Sequence, residues 1–121
     1  MKHFTLDEFA CKHCRELPSQ GMHPDLLAVM ELAREKANSP IHITSGYRCQ
    51  VHNANTPGAA SNSYHTRGMA ADSWCEGLDV YAYKALLLEC MNELGLQGGL
   101  QEYPDAEFVH VDVRGYWAEW C

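Results

Sequence analysis

Hydrophobic residues recur at helical spacing in two segments of the chain. The first, Pro24–Ala37, carries apolar residues three and four positions apart, and proline suits the first turn of a helix. The second runs from about Asp79 to Leu94, where Asp79 can cap the start and Gly95 the end. Its apolar stripe consists of Tyr83, Leu86, Leu87, Cys90, Met91 and Leu94. The pattern therefore predicts two main helices.

Shorter segments show the pattern of β-strands. Ile41–Thr44 is rich in β-branched residues and alternates, which predicts a strand, and a short strand is expected near Gly99–Tyr103. In the last predicted strand, Phe108–Arg114, valines at alternate positions share one face, so His110 points to the other face. Helices and strands without a regular β-α-β order predict an α+β domain, with a small antiparallel sheet packed with the two helices.

Length and charge limit the classes of protein that fit. The 121 residues suit one domain, which we expect to span residues 1–121. No apolar run approaches the roughly 20 residues of a membrane span, and the net charge of −7 argues against a nucleic-acid partner, which needs a basic surface. The polar N-terminus does not resemble a secretory signal, so we expect a chain that is cytoplasmic as synthesised.

Three candidate metal ligands stand in two separated segments, His65 and Asp72 in one and His110 in the other. Three protein ligands with a fourth position open for water are the arrangement of a catalytic zinc. Seven residues of helix or strand would hold His65 and Asp72 about 10 Å or about 23 Å apart, so the chain must turn between them, and Gly68 is placed for that turn. We therefore predict one Zn²⁺ ion at these three residues, on the sheet and the long polar loop of residues 49–64.

A metallohydrolase also needs a group that takes a proton from the attacking water. Asp112 shares the face of His110 by strict alternation, whereas Glu107 reaches the site only if the strand begins or bulges there. Spacing alone slightly favours Asp112 as the proton acceptor, and Glu107 remains the alternative. Arg48 follows the predicted strand Ile41–Thr44, where its guanidinium could bind a substrate carboxylate through two hydrogen bonds.

Taken together, these segments resemble the zinc D-Ala-D-Ala carboxypeptidase family of peptidoglycan peptidases. The likeness is closest to its small C-terminal-type catalytic domains, often found in phage lysins, and covers about residues 4–115. The motifs that carry the resemblance are Ser45-Gly46-Tyr47-Arg48, Ser63-x-His65-x-x-Gly68-x-Ala70-x-Asp72, Phe108-Val-His110-Val-Asp112 and the opening segment of residues 4–14.

The resemblance implies that His65, Asp72 and His110 bind zinc, that Glu107 transfers protons, and that Arg48 binds the carboxylate of the substrate. It implies hydrolysis of an amide bond in peptidoglycan stem peptides, of the D-Ala-D-Ala carboxypeptidase or L-Ala-D-Glu endopeptidase type. A phage or prophage origin fits, and the chain would act on the cell wall after release or export. Some members have a second histidine where this chain has Phe108. That departure leaves an alternative, a catalytically silent zinc module of the same fold that binds peptidoglycan or a protein.

Six cysteines are many for a chain of this size, and without a secretory signal we expect free thiols. Cys90 falls on the apolar stripe of the second helix and is expected in the core. Cys11 and Cys14 have the spacing of half a structural zinc site or of a redox pair, and the sequence leaves these possibilities open. The remaining histidines are expected as surface or core residues, with the loop residue His52 as the first candidate exception; they are His3, His13, His23, His42 and His52.

Overall fold

Two helices and a four-stranded sheet are seen in the computed structural model, which describes residues 2–49, 54 and 63–119. The helices are α1 (Pro24–Ala37) and α2 (Val80–Leu94). The strands are β1 (Ile41–Ser45), β2 (Ala70–Cys75), β3 (Leu100–Tyr103) and β4 (Phe108–Asp112). Two short 3-10 helices, Leu6–Phe9 and Tyr64–Arg67, were not predicted, because four residues are too few to show a periodic pattern.

The sheet has the strand order β1-β2-β4-β3, and each neighbouring pair is antiparallel. This confirms the predicted α+β class and its antiparallel sheet. The central pair, β2 and β4, joins segments that are distant in sequence. Its register places Asp72 opposite His110, so two of the predicted ligands meet across neighbouring strands.

The helix ends follow from their capping residues. Asp79 accepts a hydrogen bond from the backbone N–H of Ala82 at 2.8 Å and so caps the start of α2. Gly95 ends the same helix in the left-handed region with φ +71°, as predicted. Helix α1 begins at Pro24 after His23, whose Nδ1 accepts from the backbone N–H of Asp25 at 3.1 Å.

One face of the sheet packs against both helices. Val109 and Val111 of β4 are fully buried in this core, together with Leu87 of α2. Cys90 is also fully buried, which confirms its predicted place, whereas Leu94 is 40% exposed and does not belong to the buried stripe. None of the helices in the described residues is long and apolar enough to cross a membrane.

The last strand is shorter than predicted and ends at Asp112 instead of Arg114. The physical reason is that the Asp112 carboxylate takes the place of a neighbouring strand as hydrogen-bond acceptor: the backbone N–H of Arg114 donates to it at 3.1 Å.

Candidate metal centre

The three predicted ligands converge on the face of the sheet opposite the helical core. Asp72 lies on β2, His110 lies on β4 at the paired position, and both side chains are buried. The ligand atoms of His65, Asp72 and His110 all lie within 4.8 Å of one another. The alternation of β4 explains the position of His110, because its neighbours Val109 and Val111 occupy the core face.

His65 reaches this face through a tight turn between the polar segment and β2. The Ser63 hydroxyl accepts a hydrogen bond from the His65 backbone N–H at 3.2 Å and starts the 3-10 helix Tyr64–Arg67. Gly68 ends that helix with φ +69°, which confirms the turn predicted there. A Cβ at Gly68 would lie 2.9 Å from the Pro18 side chain, so both the backbone angle and the space favour glycine.

Asp72 occupies the centre of the cluster. Its Oδ1 lies 3.0 Å from His110 Nδ1 and 3.3 Å from His65 Nε2. Its other oxygen, Oδ2, lies 3.2 Å from Arg48 Nη2. One carboxylate oxygen therefore faces both imidazoles, while the second faces a guanidinium.

The outer nitrogen of each imidazole is held by an acceptor. His65 Nδ1 lies 2.8 Å from the Gly46 carbonyl oxygen, and His110 Nε2 lies 2.8 Å from Asp112 Oδ2. A carbonyl can only accept, so His65 Nδ1 carries the proton and His65 Nε2 is directed at Asp72. His110 places Nε2 toward Asp112 and Nδ1 toward Asp72. An imidazole that donates its outer N–H to a carbonyl or a carboxylate is the usual partner arrangement of a metal-binding histidine.

One atom of the cluster is left without a hydrogen bond. His65 Nε2 is a buried polar atom that has no hydrogen-bond partner in the described part of the chain. A buried nitrogen in this state is costly unless something binds it. A cation between His65, Asp72 and His110 would satisfy this nitrogen. The residues present therefore fit a divalent metal such as zinc.

Neighbouring groups in the cluster shift the pKa values of Asp72 and His110 so that the charged form of each is stabilised. Burial raises the pKa of Asp72, but the hydrogen bond from His110 and the nearby imidazoles of His65 and His110 outweigh it and hold that pKa well below its usual range. Burial lowers the pKa of His110, while Asp112 and Asp72 raise it by a larger amount. The aspartate is thus an anion at neutral pH, as metal ligation requires.

Asp112 is fully buried and orients His110. Its two oxygens accept five hydrogen bonds, from His110 Nε2, the backbone N–H groups of Gly99 and Arg114, and the Nε and Nη2 atoms of Arg114. It bonds the outer nitrogen of His110, on the side away from Asp72. This geometry gives Asp112 the role of a positioning residue and leaves little capacity for it to accept a proton from water.

Glu107 lies in the turn before β4 and is exposed. Its φ of +58° is rare for a residue with a side chain and means that strand geometry begins only at Phe108. The alternation that would turn Glu107 away from His110 therefore does not apply to it. The catalytic role of Glu107 stays a prediction.

Arg48 lies beside the cluster, where it bridges two segments. Its Nη2 contacts Asp72, its Nε donates to the Ser45 hydroxyl at 3.1 Å, and its backbone N–H donates to the His65 carbonyl at 3.0 Å. The side chain is 11% exposed. The structure places Arg48 next to the predicted ligands, and its role toward a substrate carboxylate stays a prediction.

Sequence reasoning missed three partners of the site. The Gly46 carbonyl bonds the candidate ligand His65. The Gly99 N–H and the Arg114 guanidinium bond Asp112, which orients His110. Arg114 could have been found, because strand alternation puts it on the face of Asp112. The two backbone groups could not, since any residue supplies a carbonyl and almost any supplies an N–H.

The other histidines lie outside this cluster, as far as they are described. His42 is 2.6 Å from Glu76 and stacks on Trp74 with ring centroids 4.3 Å apart. His23 caps α1. His52 lies outside the described residues, as does most of the predicted polar loop of residues 49–64.

Fold and site together define a small α+β domain built around a candidate metal centre. The model of the Peptidase M15 family matches residues 2–112, and the chain belongs to that family. The resemblance seen in the sequence motifs to a family of peptidoglycan peptidases is thereby confirmed.

Curated relatives match part of the chain. The peptidoglycan L,D-endopeptidase MepK of Escherichia coli is 35% identical over 78 residues, which cover 61% of this chain and 40% of MepK. The probable peptidoglycan L,D-endopeptidase MepK of Haemophilus influenzae is 34% identical over 80 residues, which cover 63% of this chain and 40% of that protein. The chain thus matches about 40% of the length of these relatives.

Among solved structures, the L-Ala D-Glu endopeptidase ChiX of Serratia marcescens has a similar fold. The two chains superpose with a TM-score of 0.60 and 20% sequence identity, over 78% of this chain and 81% of ChiX. At this identity the likeness concerns the fold, and it agrees with the α+β architecture described above.

Proposed function

We propose that this chain is a zinc-dependent peptidase that hydrolyses an amide bond in the stem peptides of bacterial peptidoglycan. The observation that carries the proposal is the buried convergence of His65, Asp72 and His110, in which His65 Nε2 has no hydrogen-bond partner among the described residues. Membership of the Peptidase M15 family supports the reaction class. The relatives are an L,D-endopeptidase and an L-Ala D-Glu endopeptidase, so they support a bond between an L- and a D-residue, such as L-Ala-D-Glu, over a D-Ala-D-Ala bond.

A zinc ion held by His65, Asp72 and His110 would polarise the scissile carbonyl and lower the pKa of a water molecule. Asp112 would keep the His110 ring oriented, with Arg114 and Gly99 holding Asp112 in turn. The rigid strands β2 and β4 make the site a preorganised one, since a ligand on each strand is held by the register of the sheet.

Two residues would act on the substrate. Glu107 would take a proton from the attacking water and pass it to the leaving amine, because it precedes His110 by three residues and is not bound by strand alternation. Arg48 would bind a substrate carboxylate through its guanidinium, since it lies beside Asp72 on the same side of the site. In this proposal the chain is a single domain of lysin type that acts on the wall after release or export.

Digestion of purified peptidoglycan tests the proposal. Mass spectrometry of the fragments identifies new amine ends, and an end at D-Glu names the L-Ala-D-Glu bond. Glu107→Gln should lower the rate by about 100-fold or more, the contribution typical of general acid-base catalysis. Asp105→Asn is the matched control, because Asp105 is an exposed acid of the same turn. A wild-type protein that releases no fragments when loaded with zinc contradicts the proposal.

A second candidate is a zinc-containing module that binds the wall without cutting it. Phe108 favours this reading, because it stands where some family members have a second histidine. Its ring stacks on Tyr103 with centroids 4.8 Å apart. Co-sedimentation with intact peptidoglycan, in the absence of fragment release, would support this candidate over the enzyme.

A further inference from the structure

Three cysteines form a second cluster, two on the N-terminal part of the chain and one in the segment that follows β1. The Sγ atoms of Cys11, Cys14 and Cys49 all lie within 4.8 Å of one another. Cys11 is buried, and the other two are partly exposed. The sequence pairs Cys11 with Cys14 by spacing alone, and only the fold adds Cys49, which is 38 residues from Cys11.

The turn that carries the first two cysteines is tightly closed. The backbone N–H of Arg15 donates to the Cys11 carbonyl at 2.8 Å, and the N–H of Cys11 donates to the Glu16 carbonyl at 2.9 Å. Arg15 adopts a positive φ of 64°, which residues with side chains rarely do. This closure brings the two thiols of a Cys-x-x-Cys sequence together, as in structural zinc sites.

Backbone amides also surround the Cys11 sulfur. The N–H of Cys49 donates to Cys11 Sγ at 3.4 Å. Burial raises the pKa of the Cys11 thiol, but hydrogen bonds from the backbones of Cys49, Cys14 and His13 and from the Cys14 thiol lower it to about 7. Such an environment stabilises a thiolate, which is the form of cysteine that binds metals.

We propose that Cys11, Cys14 and Cys49 form a second metal site, for a single Zn²⁺ ion or a comparable thiophilic cation. Zn–S bonds of about 2.3 Å place the sulfurs of a tetrahedral site about 3.8 Å apart, and the three sulfurs, all within 4.8 Å of one another, need at most a small contraction to reach that spacing. A disulfide would join only two of these three neighbouring sulfurs, whereas one metal ion can bind all three. The fourth position of the ion would be filled by water or by another donor.

The site would fasten the N-terminal segment to the segment that supports the first centre. The N–H of Tyr47 donates to the Phe9 carbonyl at 2.8 Å, and a Cβ at Gly46 would lie 2.6 Å from that same oxygen. The Gly46 carbonyl holds His65, and Arg48 contacts Asp72. An ion at the cysteines would therefore brace the backbone on which the His65–Asp72–His110 cluster depends.

Metal content of the full-length, reduced protein tests the proposal. After zinc loading and desalting, we expect one more zinc per chain in the wild type than in Cys14→Ser or Cys49→Ser. Cys90→Ala is the matched control and should keep the wild-type content, because Cys90 is a buried thiol of α2 outside the cluster. His110→Ala should keep the cysteine-bound ion, so failure of the first centre and failure of this one are separate results.

Cobalt substitution gives a second readout, in which the wild type alone can overturn the proposal. Co²⁺ bound by thiolates has strong charge-transfer absorption in the near ultraviolet, whereas Co²⁺ bound by imidazole and carboxylate does not. The reduced wild type and His110→Ala should show this band, and Cys49→Ser should lose most of it. Absence of the band in the reduced wild type overturns the proposal. So does equal zinc content in the wild type and both cysteine variants.

Discussion

Asp72 and His110 lie directly opposite each other on neighbouring antiparallel strands, with Asp72 Oδ1 3.0 Å from His110 Nδ1. The register of the sheet sets this approach, and His65 joins it from the 3-10 helix Tyr64–Arg67. Because the strands fix two of the three groups, a metal bound here would meet ligands that are already in place.

Removing one of these groups should abolish metal binding at this centre. We expect His110→Ala or Asp72→Asn to weaken zinc binding by more than about 100-fold, because loss of a partner outside the ligand set already costs about 10–100-fold. Isothermal titration of chelator-treated protein, with Cys14→Ser in every protein compared, measures the affinity. His42→Ala is the control, since its exposed ring pairs with Glu76 away from the centre. Unchanged affinity in His110→Ala would exclude this centre.

Asp112→Asn should lower zinc affinity while leaving all three ligands in place. The amide cannot accept the same five hydrogen bonds, so the His110 ring loses its orienting anion and Arg114 loses its ion pair. The expected loss is about 10–100-fold in affinity. If Asp112 were instead the catalytic base, the variant would bind zinc normally and lose turnover alone, which is the result that contradicts the positioning role.

Arg48→Lys should separate the two roles that its position allows. A lysine keeps the charge but cannot form the bidentate pair of hydrogen bonds that a guanidinium makes with a carboxylate. If Arg48 binds a substrate carboxylate, KM rises for the acid substrate, the same substrate with an amidated carboxyl is cut equally by both proteins, and zinc content is unchanged. If Arg48 only supports Asp72, zinc affinity falls and the preference for the acid over the amide stays as in the wild type.

The sequence predicts the convergence of the candidate ligands better than it predicts the groups that support them. His110 could be placed because strand alternation assigns it to the face opposite Val109 and Val111. The turn at Gly68 could be placed because two ligands seven residues apart cannot otherwise meet. Both inferences use local geometry, which is determined by residues close in sequence.

The missing parts of the prediction depend on contacts between distant segments. Gly99 could not be assigned to the support of Asp112 until its N–H was seen to donate to that carboxylate. Cys49 could not be joined to Cys11 until the backbones near Phe9 and Gly46 were seen in contact. Such contacts arise from the tertiary packing of the chain, so they cannot be predicted from spacing along the sequence.

The stability of the metal-free protein should depend on the protonation of His110. Folding raises the pKa of His110 above its ordinary 6.5, because Asp112 and Asp72 outweigh burial. A raised pKa gives a stabilising contribution that is complete below the unfolded pKa and is lost as pH rises through the folded pKa. The lowered pKa of Cys11 acts in the opposite direction above about 7.

The contribution of His110 to stability can be isolated by comparing the Tm of the wild type with that of a variant lacking the imidazole. In chelator, we expect the Tm advantage of the wild type over His110→Gln to shrink as the buffer is raised from about pH 6 to about pH 9. Zinc affinity should change in the other direction and increase with pH, since the metal binds a neutral imidazole. A Tm difference that grows with pH would contradict the raised pKa of His110.

A buried hydrogen bond between β2 and α2 should stabilise the face of the sheet opposite the metal centre. The Ser73 hydroxyl lies 2.7 Å from the Tyr83 hydroxyl, and both residues are almost fully buried. Tyr83→Phe should lower the free energy of unfolding by about 1–3 kcal/mol, because it leaves the Ser73 hydroxyl buried without this partner. In Ser73→Ala/Tyr83→Phe both hydroxyls are gone, so the double variant should lose less than the sum of the single losses. Denaturant unfolding of the four proteins measures the coupling, and strictly additive losses would show that the two hydroxyls do not stabilise each other.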